Sequence, residues 1–392
     1  MREPVANFLP QVVIAGCGVI SAVGCGVASL QSALRANASG LRASERFNSP
    51  RFQSNIVGAV AEDFFRAGED DPAHRLATEA LQQARAEAQI VLSSIPVARI
   101  GLVLATTKAN IEALERISEN RPCSDSARRH LQGNLLAADL ATEFGAGGKV
   151  QCVSAACVSG LSAIQQAAKI IQRGEADAVF VVGVDHLSAF VMAGFTAFKA
   201  IDPNGCRPFD AARCGLSPGE AGAAIVLVRE NFSPSSAIKI RGWGTSNDAN
   251  HLTGPSRDGS GLALAIRAAL NSAKLLPTEI NYINAHGTGT PYNDAMESMA
   301  LRAVFGDACP PFSGVKGMLG HTLGAAGVIE TIVCVLALRD NFLPGTPRLN
   351  LPADGVPESL VREPRAVEKL NHVLKLNTGF GGINGALILS HG

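Results

Sequence analysis

Val150-Gln151-Cys152-Val153-Ser154-Ala155-Ala156-Cys157-Val158-Ser159-Gly160 passes from a short apolar run, through small residues, to a cysteine. The residues beyond it have helical character to about Arg173. This order predicts a strand at 150–154, a tight turn, and a helix beginning near Cys157. Such an elbow lifts the side chain to the end of a sheet and sets its sulfur at the positive end of a helix dipole. The expectation is a lowered thiol pKa and a reactive thiolate. The amide of Cys157 would face the same pocket and could donate to an oxyanion. The competing reading is a buried apolar cysteine. Cys152, inside the strand, takes that reading, as do the other seven cysteines.

Similar apolar runs, each followed by a turn and a helical stretch, recur at 11–16, 100–105, 178–184, 223–228 and 281–285. Strands alternating with helices predict a mostly parallel, buried sheet. Asn231-Phe232-Ser233-Pro234-Ser235-Ser236 reads as a linker between two strand-like runs. The segments on either side of it echo each other. Strand 150–154 and the helix from Cys157 match a Gly-rich turn at 317–320 and a helix from His321 to about Arg339, and 100–117 matches 282–299. Small apolar helices also resemble each other by chance, but an α/β chain of two duplicated halves, 1–232 and 237–392, would bring two helix N-termini together at a pseudo-twofold centre.

The bulk composition agrees with this. At 392 residues the chain exceeds one ordinary core, and 47% hydrophobic against 17% charged residues leaves a large buried interior. A net charge of zero favours neither nucleic acid nor a membrane surface as partner. Nine cysteines without a CxxC pair suggest neither a disulfide framework nor a zinc site, and reduced thiols point to the cytoplasm. Ile14-Ala15-Gly16-Cys17 mimics a lipoprotein cleavage box, but Glu3, Pro10 and Gln11 spoil the preceding signal. Residues 11–16 are expected to be the first buried strand.

Two histidines stand in Gly-rich settings. His286 lies in Asn284-Ala285-His286-Gly287-Thr288-Gly289-Thr290-Pro291, directly after a strand, where ligand-contacting residues collect in α/β sheets. His321 lies in Lys316-Gly317-Met318-Leu319-Gly320-His321-Thr322-Leu323-Gly324 and is expected to start a helix of small residues. Lys316 and Glu330 flank it, either as a buried pair or as ordinary surface charges. Gly379-Phe380-Gly381-Gly382 precedes a last strand at 386–389 and reads as a mobile loop carrying one bulky plug.

Together these segments resemble the elongating β-ketoacyl-acyl-carrier-protein synthases of the thiolase superfamily. The resemblance spans nearly the whole chain. It takes in Val12 to Gly18, Arg207-Pro208-Phe209-Asp210 with Gly219-Glu220, Asp248 to Thr253, Asp294 to Glu297, and the final GFGG. It implies a thiolase-like fold of duplicated α-β-α-β-α layered halves related by a pseudo-twofold. It also implies a catalytic Cys157, His286 and His321, with the amides of Cys157 and Phe380 as oxyanion hole. Lys316 and Glu330 would support the histidines. Thr253, Thr288 and Thr290 would line a phosphopantetheine tunnel gated by Phe380. The activity implied is decarboxylative condensation of malonyl carrier protein with an acyl group on Cys157, with no metal or diffusible cofactor. The partners implied are acyl carrier protein and, in a dimer, an identical chain or a ketosynthase-like paralogue. The Cys-His-His set resembles elongating enzymes rather than the Cys-His-Asn of initiating ones.

Some positions depart from the family. The chain is shortened around 65–80 and 110–135. Glu69-Asp70-Asp71 stands where basic residues usually flank the carrier entrance, leaving Lys199 as the candidate docking residue. Thr378 replaces a common phenylalanine, and Ile383 a threonine. These departures suggest a specialised synthase of an aryl-polyene or polyketide pathway rather than the housekeeping fatty-acid enzyme. The alternative reading is a chain-length or structural subunit of a heterodimeric ketosynthase that keeps its cysteine unused.

Overall fold

The computed structural model describes residues 10–232 and 237–392. Most of the expected linker, 233–236, therefore lies outside the described residues. Ten strands carry the architecture. They are β1 (Val12–Ser21), β2 (Ile100–Ala105), β3 (Val150–Val153), β4 (Ala178–Asp185), β5 (Ala221–Arg229), β6 (Lys239–Asn247), β7 (Tyr282–Asn284), β8 (Phe312–Ser313), β9 (His372–Gly379) and β10 (Ile383–Ser390).

Their order in the sheet is β3-β2-β4-β5-β1-β6-β10-β9-β7-β8. Split between β1 and β6, this becomes two five-strand units of one topology, because each strand of the first half has its counterpart five labels later. The pairing repeats too. β2 runs parallel to β3 and β4 as β7 does to β8 and β9, while β4–β5 and β5–β1 are antiparallel, like β9–β10 and β10–β6. Within the sheet the halves pair through Val12–Ile240 and Val13–Lys239. The duplicated thiolase-like arrangement is thus present, but the sheet is mixed rather than mostly parallel. The expectation failed because the recognised strands β4, β5 and β1 pair antiparallel with one another, which strand–helix alternation alone does not reveal.

Six longer helices complete the layers, α1 (Pro72–Glu87), α2 (Gly133–Phe144), α3 (Ser159–Gln172), α4 (Ser260–Ala273), α5 (Pro291–Phe305) and α6 (Ala326–Asp340). α1 and α2 cover one face of the first unit. α4 and α5 cover the outer face of the second. α3 and α6 lie between the units in a shared core with strands from both. Alternation along β4 shows how a strand serves two layers. Val179 and Val181 face the central helices, while Ala178, Phe180 and Val182 face α1 and α2. In β1 the parity changes from Val12 and Ile14 to Cys17 and Val19, because a bulge between Ile14 and Gly16 adds one residue.

The central helices meet very closely. A Cβ on Gly160 of α3 would stand 2.7 Å from Gly327 Cα, and one on Gly327 would stand 2.4 Å from Leu161 N. Only glycine allows this crossing, which brings the starts of α3 and α6 together. α6 is buried from Ala326 to Leu338, so it has no polar face and contains a single buried acid, Glu330.

Glu69-Asp70-Asp71 is absorbed internally. Asp71 caps α1 through His74 N–H and contacts His130 Nδ1 at 2.5 Å, and Asp70 accepts Ser124 N–H at 2.6 Å. Asp70 and Asp71 tie the segment around 70 to that around 124–130 instead of forming a free acidic patch. Among the described residues no helix is long and apolar enough to cross a membrane.

Candidate active site

After β3 the chain turns so sharply that Ala156 adopts φ 47°. Left-handed backbone is unfavourable for alanine, and the turn is held by Ser159. Its hydroxyl accepts Ala155 N–H at 2.8 Å and donates to Ala156 O at 2.6 Å. Cys157 projects from this elbow, and α3 begins at Ser159, two residues later than expected. His321 does not start a helix. A short helical turn, Lys316–Leu319, is followed by Gly320, and α6 starts only at Ala326. His321 instead bridges to Pro218, a mainchain contact from outside its own unit.

His321 Nε2 lies 3.0 Å from Cys157 Sγ. Leu323 N–H donates to His321 Nδ1 at 3.2 Å, so the ring proton resides on Nε2 and points at the sulfur. His286 is fixed in the same way. Lys316 Nζ at 3.2 Å and Asn377 Nδ2 at 3.0 Å both donate to its Nδ1, again leaving the proton on Nε2. The two rings meet edge to face with centroids 5.3 Å apart. One donor atom from each of Cys157, His286 and His321 lies within 4.8 Å of the others. Such a cluster could hold a metal ion if both Nε2 atoms offered lone pairs. With protons there, it presents two N–H donors to an oxygen carrying negative charge.

Burial dominates the titration of these groups. It holds His286 well below the ordinary imidazole range, with Lys316 adding to the effect. Burial and then Lys316 pull His321 down to about 3. Both rings are therefore neutral at physiological pH. Burial pushes the Cys157 thiol up to about 12, against a partial pull from Lys316. The expected lowering of that thiol is not found. The Cys157 amide does act on its own sulfur in the lowering direction, as the elbow requires.

Behind His286 lies a buried ionic cluster. Lys316 Nζ contacts Glu330 Oε1 at 2.5 Å and donates to His286 O at 2.6 Å. Lys316 and Glu330 thus form the buried pair rather than surface charges. A second lysine completes the cluster. Lys375 Nζ contacts Glu330 Oε2 at 2.8 Å, and Asn377 donates to the same oxygen at 3.2 Å. Burial would raise the Glu330 carboxyl, but Lys316 and Lys375 outweigh it and hold it below the usual range. Glu297 Oε1 accepts His286 N–H at 2.5 Å and Oε2 accepts Gly287 N–H at 2.8 Å, and Asp294 accepts the amides of Thr288 and Gly289.

A cavity of about 440 Å³ opens onto Cys157, His286 and His321. Thr253, Thr288 and Thr290 line it, with the two latter hydroxyls 2.8 Å apart. Phe380 stands at its mouth, 37% exposed, with Phe195 and Phe198 at centroid distances of 6.2 and 5.9 Å. Gly379 packs beside the Cys157 amide, since a Cβ there would lie 3.2 Å from Cys157 N. Lys199 also lines the cavity. Every site residue singled out in the sequence is therefore at the cavity or directly behind it. Sequence reading missed Lys375, Asn377, Phe195 and Phe198, and noted Asp294 and Glu297 without a role. The GFGG loop could have pointed to Asn377, which lies two residues before it.

Comparison with known proteins follows the same lines. Residues 10–232 match the family described as "Beta-ketoacyl synthase, N-terminal domain" and residues 238–350 its C-terminal domain. The chain belongs to the β-ketoacyl synthase family. It is 33% identical to a putative polyketide beta-ketoacyl synthase 1 of Streptomyces halstedii, over 97% of this chain and 98% of that one. It is also 33% identical to a 3-oxoacyl-[acyl-carrier-protein] synthase 2 of Vibrio cholerae, over 96% and 98%. Among solved structures, the ishigamide ketosynthase/chain length factor superposes with a TM-score of 0.89 at 30% identity, covering 98% of this chain and 99% of that one. A ketosynthase in complex with its chain length factor from Xenorhabdus doucetiae gives 0.87 at 28% identity, with full coverage of both chains.

Proposed function

We propose that the chain is a condensing enzyme that extends an acyl group held on Cys157 by two carbons taken from malonyl carrier protein. The observation that carries this reading is the convergence of the His286 and His321 Nε2–H groups beside the Cys157 sulfur. In the first half-reaction Cys157 Sγ attacks the thioester of an acyl carrier protein. A carbon–sulfur bond forms to Cys157, and the thiol proton leaves with the departing pantetheine sulfur. The amides of Cys157 and Phe380 receive the transient oxyanion.

Malonyl carrier protein then takes the vacated tunnel, its pantetheine passing Thr253, Thr288 and Thr290. As carbon dioxide leaves, the electron pair moves onto the thioester oxygen, which accepts the two Nε2–H bonds. The enolate carbon attacks the acyl-cysteine carbonyl, a new carbon–carbon bond forms, and the Cys157–acyl bond breaks. The thiolate released takes up a proton from water. Neutral histidines suit this step, because each arrives with a fixed proton to donate. Lys316 and Glu330 hold His286 and do not transfer protons. No metal or diffusible cofactor enters the scheme.

Several observations support further assignments. Lys199 at the cavity mouth fits an acidic carrier protein. The free outer edge of β3, unpaired among the described residues, fits a second subunit, identical or a ketosynthase-like paralogue. Likeness to polyketide synthases and to ketosynthase/chain-length-factor structures supports a specialised polyketide or aryl-polyene pathway in the cytoplasm. The test is incubation with acyl and malonyl carrier proteins, read by mass spectrometry of the carrier-bound product. Cys157→Ala is expected to abolish both acyl-enzyme and product. Condensation undiminished in that variant would leave the chain as a chain-length or structural subunit.

A further inference from the structure

Lys375 is a fully buried lysine in β9, and the chemistry described so far does not use it. It is positioned by more than its ion pair with Glu330 Oε2. Its ammonium donates to the carbonyls of Asn284 at 3.5 Å and Ala285 at 3.4 Å, and also to Leu376 O. Ala285 immediately precedes His286. The cation therefore ties β9 to the backbone that carries this histidine. One carboxylate, Glu330, is shared between two ammonium groups, one at each oxygen. An isolated buried lysine is costly, so a second one beside a pair already balanced calls for a role.

We propose that Lys375 is a positioning residue for His286, holding the Ala285 carbonyl and Glu330 so that Lys316 directs its ammonium at His286 Nδ1. This rests on the condensing reading above and extends it to a residue that reading leaves without a task. Without Lys375, Glu330 has a single lysine partner, and Lys316 is drawn towards both of its oxygens and away from the ring. The donor that keeps the His286 proton on Nε2 then weakens, and with it the enolate contact. The effect is selective. Burial, Lys316, His321 and Lys375 set the state of His286, whereas burial, Lys316, Asp185 and Glu330 act on Cys157. Decarboxylation should suffer while acyl loading continues.

The experiment uses the full chain and its Lys375→Met variant, whose unbranched stem fills the same buried space. Malonyl carrier protein decarboxylation and acyl transfer from acyl carrier protein to Cys157 are measured separately. The expected result is a fall of about tenfold to a hundredfold in the kcat of decarboxylation, with its KM and the rate of acyl transfer changed by less than about twofold. Equal loss of both half-reactions, or a decarboxylation kcat within about twofold of the parent, would overturn the proposal. Should Lys375→Met fail to fold, Lys375→Gln is read in its place. Failure of both to fold would mark the lysine as purely structural and also overturn it. If the unaltered chain releases no carbon dioxide from malonyl carrier protein, the condensing reading itself falls, which is a separate outcome.

Discussion

Lys316 Nζ stands 3.2 Å from His286 Nδ1 while touching Glu330 Oε1, so one cation both fixes a tautomer and balances a buried acid. The sequence separates these residues widely, and the site depends on their meeting. The direction of the proton on His286 is a consequence of this contact and not a property of the histidine alone.

Lys316→Met should therefore lower decarboxylation by about a hundredfold, in the range seen when an oriented donor to a developing oxyanion is lost. Acyl transfer to Cys157 should fall less. Carbon dioxide release and acyl-enzyme mass, measured side by side, check this. Equal effects on both steps would count against the tautomer argument.

Glu330→Gln leaves two buried ammonium groups facing each other with no anion between them. Breaking a buried ion pair in this way costs about 3–5 kcal/mol. Urea unfolding should show the loss directly, and a change below about 1 kcal/mol would mean that the cluster readily relaxes or loses a proton.

The pH dependence has a definite sign. His321 has an ordinary value of 6.5 and a folded value of about 3, so the unfolded chain binds more protons in that window. Its contribution to stability is complete above pH 6.5 and is lost as pH falls towards 3, with a slope of up to about 1.4 kcal/mol per pH unit. His286 acts in the same direction. Urea midpoints between pH 7 and pH 4 should fall less steeply in His321→Gln than in the parent. Parallel curves would refute the assignment.

Gly160→Ala places a methyl 2.7 Å from Gly327 Cα and Val328 N, both backbone atoms that cannot rotate away. Overpacking of this kind costs about 1–3 kcal/mol. Condensation should fall as well, because α3 continues from the elbow that carries Cys157 and α6 follows the segment that carries His321. Thermal melting and product formation provide the two measurements.

Much of this site could be read along the chain because its parts are local. Cys157 follows an apolar strand and a turn of small residues and His286 comes directly after a strand, and such ends are where parallel strands expose chemistry. β6 was legible only as a strand-like run after the linker, because Gly242 and Gly244 interrupt its alternation, although they are what allow α4 to pack against it. Lys375 was hidden because a lysine within Val373-Leu374-Lys375-Leu376 reads as a solvent-facing position. Only the fold reveals Glu330 on its other side. The thiol was misjudged on magnitude. A helix N-terminus is worth up to about 1 kcal/mol, whereas desolvation of the sulfur by its apolar surroundings can move a thiol by several pK units.

The protonated resting state of Cys157 has a consequence for survival under oxidants. Peroxide attacks thiolates, and conversion to sulfenic acid scales with how much thiolate is present. A sulfur held as thiol until a carrier arrives is a poor target, even at the end of an open cavity.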